Sequence, residues 1–248
     1  PKKYINQLKT RDISLEGLEY NDGKTFRWKG RYGYDLNTAR TIYTKLNVFE
    51  SFSPKIPESY RRTPYLFLAN IDPELQLDVL SKVYAPRFVA CDSMNFWITN
   101  KPGALKRLLK KIDLFIINDA EARLLSGESN IIKAAKYIFS LGPGRSIIKR
   151  GDSGALYLTR EGRCFSTPAY LMECIKDPTG AGDSFAGGFM GYLSKTNEFT
   201  EKGMKRAVIY GTLMASFCVQ DFGPKRLLEL KAPEIEARFR DFRLLTSF

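Results

Sequence analysis

The sequence predicts an α/β fold, a mostly parallel, doubly wound sheet flanked by helices, with a small β lid. From residue 65 onward, short apolar runs alternate with longer segments of helical periodicity. Parallel strands that helices cover on both faces have such continuous apolar sequences. The composition agrees, because a chain of 248 residues with 44% hydrophobic and 27% charged residues can bury one large core.

The predicted elements follow one another as strand, helix, strand. The apolar runs 65–68 and 88–91 are typical of buried strands, and Pro73 suits the first turn of the helix between them. Further strands are predicted at 114–117, 146–148 and 155–158. Helices are predicted at 73–83, 104–111, 120–125, 131–141, 184–194, 200–219 and 233–244.

The sequence divides into two parts, an N-terminal region (1–60) and an α/β core (61–248). The first part is aromatic, basic and irregular. Within it, residues 24–50 are candidates for the lid, because 24–32 alternates and 43–49 has high β propensity. An ordinary edge hairpin is the alternative interpretation.

The composition excludes several classes of site. The chain has no histidine, which removes Ser/His/Asp and Cys/His triads and leaves carboxylate, lysine and backbone chemistry. The 4 cysteines lack C-x-x-C spacing, so neither a zinc site nor a redox pair is predicted. We expect buried, reduced thiols in a cytoplasmic protein without a membrane partner. The cysteines are Cys91, Cys164, Cys174 and Cys218.

The net charge of +12 is spread over the chain. The basic residues occur mostly as short pairs such as Lys106-Arg107, which are typical of solvated faces. This pattern disfavours a nucleic-acid partner. It favours steering of polyphosphate substrates, or the Lys-rich surface of a heat-adapted protein.

The most informative stretch of the chain is Asp177-Pro-Thr-Gly-Ala-Gly-Asp183, directly before a predicted helix. Backbone N–H groups at a helix start attract a phosphoryl oxygen, and Gly180, Ala181 and Gly182 allow close approach. A carboxylate in the same turn suits a base that takes the proton of an attacking hydroxyl. Asp183 is that candidate. The structural alternative is a Gly-rich loop with an Asp at the helix cap.

Two other phosphate motifs are rejected. Between Gly17 and Gly23-Lys24-Thr25 there are 5 residues where a Walker A loop requires 4. The chain also contains no G-x-G-x-x-G, so the main fingerprint of Rossmann-type dinucleotide binding is absent.

The stretch ending at Asp183 resembles the signature of the ribokinase-like, or PfkB-type, carbohydrate kinase family. The resemblance implies ATP-dependent phosphorylation of a sugar or nucleoside hydroxyl, with Asp183 as base and Gly180-Ala181-Gly182 as anion hole. Asn118 and Glu121 resemble the family's N-x-x-E motif. There the Asn lies near the nucleotide phosphates and the Glu orders the Mg²⁺ shell through water.

The same resemblance implies further contacts. Lys149, Gly151 and Gly154 match the nucleotide loop T-x-G-x-x-G, with Lys149 in place of Thr. By position, Thr212 and Gly223 lie near the adenine. Asp177 and Thr179 would help to bind a monovalent cation such as K⁺, as the corresponding residues do in several relatives. The family's lid often forms a homodimer contact.

Each supporting motif also has a structural interpretation. Asn118 could cap the following helix with Glu121 as its capping-box partner. Its place at the carboxyl end of a strand nevertheless suits a ligand site. Gly151 and Gly154 could form a hairpin turn, and both interpretations can hold at once.

The substrate residues have weaker support. Asn95 lies where the family has D-x-N-x-R, but Phe96 replaces the Arg; Asn70 and Asn47 are further candidate hydroxyl ligands. The family's first strand has no counterpart, so we expect roughly fifty more residues upstream in the native protein. The sequence thus predicts an ATP- and Mg²⁺-dependent sugar kinase. The alternatives are a nucleoside (adenosine-like) kinase, or a non-catalytic nucleotide- or RNA-binding protein of the same fold.

Overall fold

The computed structural model describes residues 2–34, 36–37 and 39–247. The chain forms two compact units. One contains the residues up to Thr63 together with 78–85, and the other contains 64–77 and the residues from Pro86 onward. The helix at 73–81 therefore contributes residues to both units.

The N-terminal unit contains helix α1 (Lys2–Lys9) and an antiparallel pair, β1 (Arg27–Tyr32) and β2 (Ala39–Lys45). The pair lies within the predicted lid segment 24–50. The β-prone stretch 43–49 is only partly a strand, because residues 47–49 form a 3-10 turn. Asn47 has a φ of 54°, which ends the extended conformation, and its side-chain amide donates to the Thr25 carbonyl at 2.7 Å. The function of the lid stays a prediction.

The larger unit is built on one six-stranded sheet. Its strands lie in chain order, and those from Tyr65 to Lys149 are parallel while the last two pairings are antiparallel. The mostly parallel sheet is confirmed. The strands are β3 (Tyr65–Leu68), β4 (Phe88–Asp92), β5 (Leu114–Asn118), β6 (Arg145–Lys149), β7 (Ala155–Thr159) and β8 (Cys164–Thr167).

Helices separate and follow these strands. They are α2 (Pro73–Ser81), α3 (Asn95–Asn100), α4 (Pro102–Leu109), α5 (Asp119–Ser126), α6 (Ile131–Leu141), α7 (Ala181–Thr196), α8 (Glu201–Cys218), α9 (Lys225–Glu229) and α10 (Ala232–Thr246). The sequence did not predict the short elements β8, α3 and α9, since four to six residues are too few for a clear periodicity. It also placed the start of α7 at Ser184, whereas the helix begins at Ala181.

The sheet is covered on both faces. Leu114 and Ile116 of β5 pack in one cluster with Phe185 and Phe189 of α7. The alternate β5 side chains, such as Phe115, are fully buried on the opposite face, and α5 and α6 contact β5 and β6. Each such large apolar side chain contributes about 1.5–3 kcal/mol by its burial. This packing fixes where the carboxyl ends of the strands lie.

Two of the four cysteines differ from the prediction. Cys91 and Cys218 are buried, but Cys164 and Cys174 are exposed. Cys164 opens β8, where side chains alternate between exposed and more buried positions, and so points away from the core. Among the residues that the structure describes, no helix is long and apolar enough to span a membrane.

The turn between β6 and β7 depends on Gly154. Its backbone has φ 83° and ψ −135°, a region that is essentially restricted to glycine. A Cβ at this position would lie 2.0 Å from the Thr167 carbonyl oxygen. Both the conformation and the packing against β8 therefore require glycine.

We predict that Gly154→Ala lowers the free energy of unfolding by roughly 3 kcal/mol or more, because strain and a backbone collision add. The control is Gly162→Ala, at φ 86° with nothing within 4 Å of the added Cβ, where about 1 kcal/mol is expected. Urea unfolding measures both variants. Equal losses would show that the collision is relieved at no cost.

Candidate functional site

The start of α7 is shaped by a left-handed glycine. Gly180 is the N-cap residue with φ 85° and ψ 0°, where other residues are strained. The Ala181 N–H donates to the Pro178 carbonyl at 3.2 Å, and the first α-helical bond runs from the Ser184 N–H to the Gly180 carbonyl at 2.9 Å. The N–H groups of Gly182 and Asp183 lie between these two bonds. They are the amides best placed at the positive end of the helix dipole.

Asp183 is the third residue of α7 and its side chain is exposed. It is close enough to the carboxyl end of β4 to raise the pKa of Asp92 by charge repulsion. The exposed carboxylate can therefore reach a substrate at the same edge of the sheet at which the strands end. This position suits a general base.

A complete capping box joins β5 to α5. Asn118 Oδ1 accepts from the Glu121 N–H at 2.8 Å, and Glu121 Oε2 accepts from the Asn118 N–H at 3.1 Å. The structural interpretation of the N-x-x-E motif is thus correct for the helix start. The Asn118 side chain is also close enough to hydrogen-bond the Glu121 carboxylate. Burial is the main cause that raises the pKa of Glu121.

Lys149 links the nucleotide loop to the start of α7. It is the last residue of β6 and pairs in register with Asn118 of β5. A Cβ added to Gly182 would lie 2.7 Å from Lys149 Nζ. The ammonium group therefore lies beside the second residue of α7. Its charge also acts on Glu121, so the structure brings these sequence-predicted residues together.

Asp92 is a charged residue of this edge that the sequence reasoning did not assign to the site. It ends β4 and is only 4% exposed. Among the described residues, its Oδ1 has no hydrogen-bond partner, while the Asn70 backbone N–H donates to the carboxylate. The sequence signal that could have assigned Asp92 to the site is a carboxylate at the end of a buried strand. The sequence reasoning used that stretch only for Asn95.

Burial is the main reason that the pKa of Asp92 is raised to about 7; Lys149 acts to lower this pKa, and repulsion by Asp183 and Glu121 acts to raise it. These charges come from three different elements, α7, α5 and β6. One ammonium and three carboxylates thus influence one another at the carboxyl edge of the sheet.

The remaining nucleotide-loop residues form a hairpin turn. Residues 151–153 make a 3-10 turn between antiparallel β6 and β7, and the Arg150 N–H donates to the Gly154 carbonyl at 2.8 Å. Gly151 is exposed and Gly154 is buried. The turn follows β6 directly, so it lies at the same edge as Lys149.

Thr212 and Gly223 are placed less closely. Thr212 is buried within α8, and its hydroxyl donates to the Val208 carbonyl at 3.1 Å. Gly223 lies in the exposed turn between α8 and α9 with φ 58°. Among the described residues, no hydrogen bond or ion pair joins either of them to Asp183, and their nucleotide roles stay predictions.

The candidate substrate residues are spread over the chain. Asn70 follows β3, and its Oδ1 accepts from Trp97 Nε1 at 3.1 Å. Asn95 is exposed at the first position of α3. Asn47 belongs to the N-terminal unit, where its amide donates to Thr25.

The residues considered for a monovalent cation form a tight turn. Asp177 Oδ1 accepts from the Thr179 N–H at 2.9 Å, and the Thr179 carbonyl lies 3.7 Å from Cys218 Sγ. The part of the chain that the structure describes has no cluster of three or more Asp, Glu, Cys or His side chains that could hold a metal ion. Mg²⁺ usually keeps several waters and binds one or two carboxylates plus substrate phosphates, and Glu121 suits that mode.

A separate cavity of about 740 Å³ contains none of the predicted site residues. Its walls come from the ends of α4 and α6, which precede β5 and β6 and so lie at the opposite edge of the sheet. Its lining residues are Lys110, Lys136, Phe139, Ser140, Leu141, Gly142 and Arg160.

We predict that Asp92 makes the protein less stable as the pH rises from about 4 to about 7. Its folded-state pKa of about 7 lies above the unfolded value, so the native state binds the proton more tightly and loses stability as that proton dissociates. Asp92→Asn should flatten this decline relative to the wild type. Urea unfolding at pH 4, 5.5 and 7 measures it; parallel slopes for the two proteins would contradict the prediction.

The similarity to known proteins agrees with this geometry. Over 217 residues the chain is 27% identical to a cytidine kinase from Thermococcus kodakarensis, covering 84% of this chain and 76% of that protein. A nucleoside kinase from Burkholderia thailandensis, solved in complex with inosine, superposes with a TM-score of 0.75 at 21% identity, over 97% of this chain and 77% of that one. A ribokinase from Thermotoga maritima superposes with a TM-score of 0.72 at 23% identity, over 96% and 77%.

The structural similarities confirm the predicted ribokinase-like fold. The family model described as pfkB family carbohydrate kinase matches residues 63–230, which is more than half of the chain. The matched range contains every residue of the capping box, the nucleotide loop and the α7 start. The chain belongs to the pfkB family of carbohydrate kinases.

Proposed function

We propose that the protein is an ATP-dependent kinase that phosphorylates a hydroxyl of a sugar, with Asp183 as the catalytic base. Family membership and the kinase names of the relatives support a phosphotransferase with a hydroxyl acceptor. The observation that carries the proposal is the arrangement at Gly182. Lys149 Nζ lies beside Gly182, at the N-terminal amides of α7, and the exposed carboxylate of Asp183 belongs to the next residue.

The chemistry follows from these groups. The acceptor hydroxyl oxygen attacks the γ-phosphorus of ATP while its proton passes to the Asp183 carboxylate. The bond from the γ-phosphorus to the bridging oxygen breaks, and ADP leaves with the electron pair. The Gly182 and Asp183 N–H groups hold the charge on the transferred group, and Gly180 and Ala181 shape the turn that presents them.

The cofactors in this proposal are ATP and Mg²⁺, with K⁺ as a further candidate. Glu121 and Asn118 would orient the metal's water shell and the phosphates. When bound, Mg²⁺ neutralises charge on the polyphosphate. Asp177 and the Thr179 carbonyl would face K⁺. Lys149, Gly151, Gly154, Thr212 and Gly223 would contact the nucleotide.

Two acceptor classes are supported. The ribokinase fold and the family support a free sugar, whereas the cytidine kinase and the inosine-bound nucleoside kinase support the sugar moiety of a nucleoside. Both present a hydroxyl to the same base. Asn70, Asn95 and Asn47 are the proposed hydroxyl ligands. An ADP-release assay with a panel of sugars and nucleosides identifies the acceptor.

With that acceptor, we predict that Asp183→Ala lowers kcat by roughly 100- to 10,000-fold, the usual contribution of a general base. ATP binding, measured by calorimetry, should stay within about threefold, because the phosphates are held by backbone amides and Lys149.

The control for this variant is Glu201→Gln, which removes the first-turn carboxylate of α8 but lies outside the site. It should leave kcat unchanged. Undiminished turnover in Asp183→Ala would refute the proposed base. Wild-type protein that binds ATP or RNA but phosphorylates no acceptor would favour the non-catalytic alternative, and a salt-sensitive RNA complex would identify the RNA arm.

We further predict that Asn118→Ala lowers kcat/KM by roughly 10- to 100-fold, because Asn118 would help to order the metal and the phosphates. It should also cost about 1 kcal/mol of stability as a lost helix cap. Asn130→Ala is the matched control, since Asn130 Oδ1 caps α6 by accepting from the Ile132 and Lys133 N–H groups.

Thermal unfolding and steady-state kinetics are compared for the two cap variants. Similar losses of stability with a loss of activity only in Asn118→Ala are expected. If both variants lose activity equally, Asn118 acts through stability alone.

A further inference from the structure

Lys149 and Asp92 are two charged residues without an ion-pair partner among the described residues. Within the described part of the chain, Lys149 makes no ion pair within 4.0 Å, yet its Nζ lies beside Gly182. Its side chain is half-buried. The backbone at Gly182 is where the proposed kinase would hold the phosphoryl group. A lysine at this point has a function that the Thr of the T-x-G-x-x-G pattern cannot supply, because only lysine brings a positive charge.

Asp92 is the second, independent observation. It is almost fully buried, and among the described residues its Oδ1 accepts no hydrogen bond. Lys149 is the cation among the charged groups that act on it, while Asp183 and Glu121 repel it. A buried carboxylate with an unsatisfied oxygen is costly unless a cation compensates it. The negative charge of Asp92 therefore partly balances the Lys149 ammonium, although the two groups lie too far apart to form an ion pair.

We propose that Lys149 binds the transferred phosphoryl group of ATP directly, and that the negative charge of Asp92 partly balances its ammonium from beyond ion-pair distance when no nucleotide is bound. The inference rests on the proposed function and names the cation of that same site. Lysine suits this role because it is a compact charge on a flexible stem, so it can move between two anions.

The charge balance at the sheet edge supports this assignment. Asp92, Glu121 and Asp183 are three carboxylates close enough for Asp183 and Glu121 to repel the charge of Asp92. Without a cation, an incoming γ-phosphate would be repelled. Nζ lies close enough to Gly182 that one phosphoryl oxygen can accept from both the backbone amide and the ammonium. Lys149 therefore discriminates a triphosphate from a diphosphate.

Binding affinities test this without turnover. Isothermal titration calorimetry with AMP-PNP, a non-hydrolysable ATP analogue, and with ADP at fixed Mg²⁺ gives an affinity ratio for each variant. Lys149→Met should weaken AMP-PNP binding by roughly 10- to 100-fold, as expected for one lost charged hydrogen bond, and leave ADP within about threefold. Lys149→Arg should retain most of the ratio.

The control is Lys195→Met, which removes a lysine charge from the last turn of α7, far along the helix from Gly182. It should leave both affinities unchanged. Thermal unfolding of every variant shows whether it is folded, and the ADP affinity reports an intact nucleotide site even where stability falls.

A double-mutant cycle tests the role of Asp92. Asp92→Asn removes the anion that competes for Lys149, so it should strengthen AMP-PNP relative to ADP by several-fold in the wild-type background and have no such effect in Lys149→Met. Equal effects in both backgrounds would show that Asp92 does not act through Lys149, and would overturn that half of the inference.

The result that would overturn the main inference is an unchanged AMP-PNP to ADP ratio in Lys149→Met, with both affinities either retained or lowered equally. That outcome leaves the kinase proposal intact, since the wild type would still bind both nucleotides. Wild-type protein that binds neither nucleotide would instead refute the proposed function itself.

Discussion

The common carboxyl edge of the parallel strands β4, β5 and β6 is the constraint on which the candidate site depends. These strands end at Asp92, Asn118 and Lys149, three polar residues that each follow apolar residues of the strand. Parallel strands deliver their last residues to one edge, where helix N-termini also collect. The site is therefore a consequence of buried apolar packing that fixes where each strand stops.

Electrostatics at this edge are governed by burial. Asp92 is held in a place where water cannot stabilise its charge, so its pKa rises to about 7, and burial also raises the pKa of Glu121. The fold tolerates this cost because Lys149 attracts both groups. Carboxylates that repel one another beside a single ammonium suit the proposed binding of a polyanion together with a metal ion.

Several residues of the candidate site combine a structural role with a proposed functional one. Asn118 and Glu121 form the capping box of α5, and both are also proposed to orient the metal's water shell and the phosphates. The hairpin turn at Gly154 closes β6 onto β7, yet it places the loop beside Lys149. A structural explanation for such a motif therefore does not argue against a functional one. Matched variants such as Asn118→Ala and Asn130→Ala separate the structural role from the functional one.

Much of the fold could be read from the sequence, because long apolar runs and helical periodicity are local signals. Strands β3 to β6 and helix α6 lie within one residue of their predicted bounds. Short elements such as β8 and α3 were missed, and the predicted burial of Cys164 and Cys174 was wrong. Both depend on contacts with residues that are distant in the chain.

For the site, the sequence by itself determined the identity of the groups: the helix start at Gly180 to Asp183, the N-x-x-E pair and a lysine in the nucleotide loop. Only the tertiary structure decided that Lys149 Nζ lies against Gly182 and that Asp92 is buried with an unsatisfied oxygen. The physical reason is that motif chemistry resides in short local stretches, whereas charge coupling depends on distances between strand ends that packing alone sets.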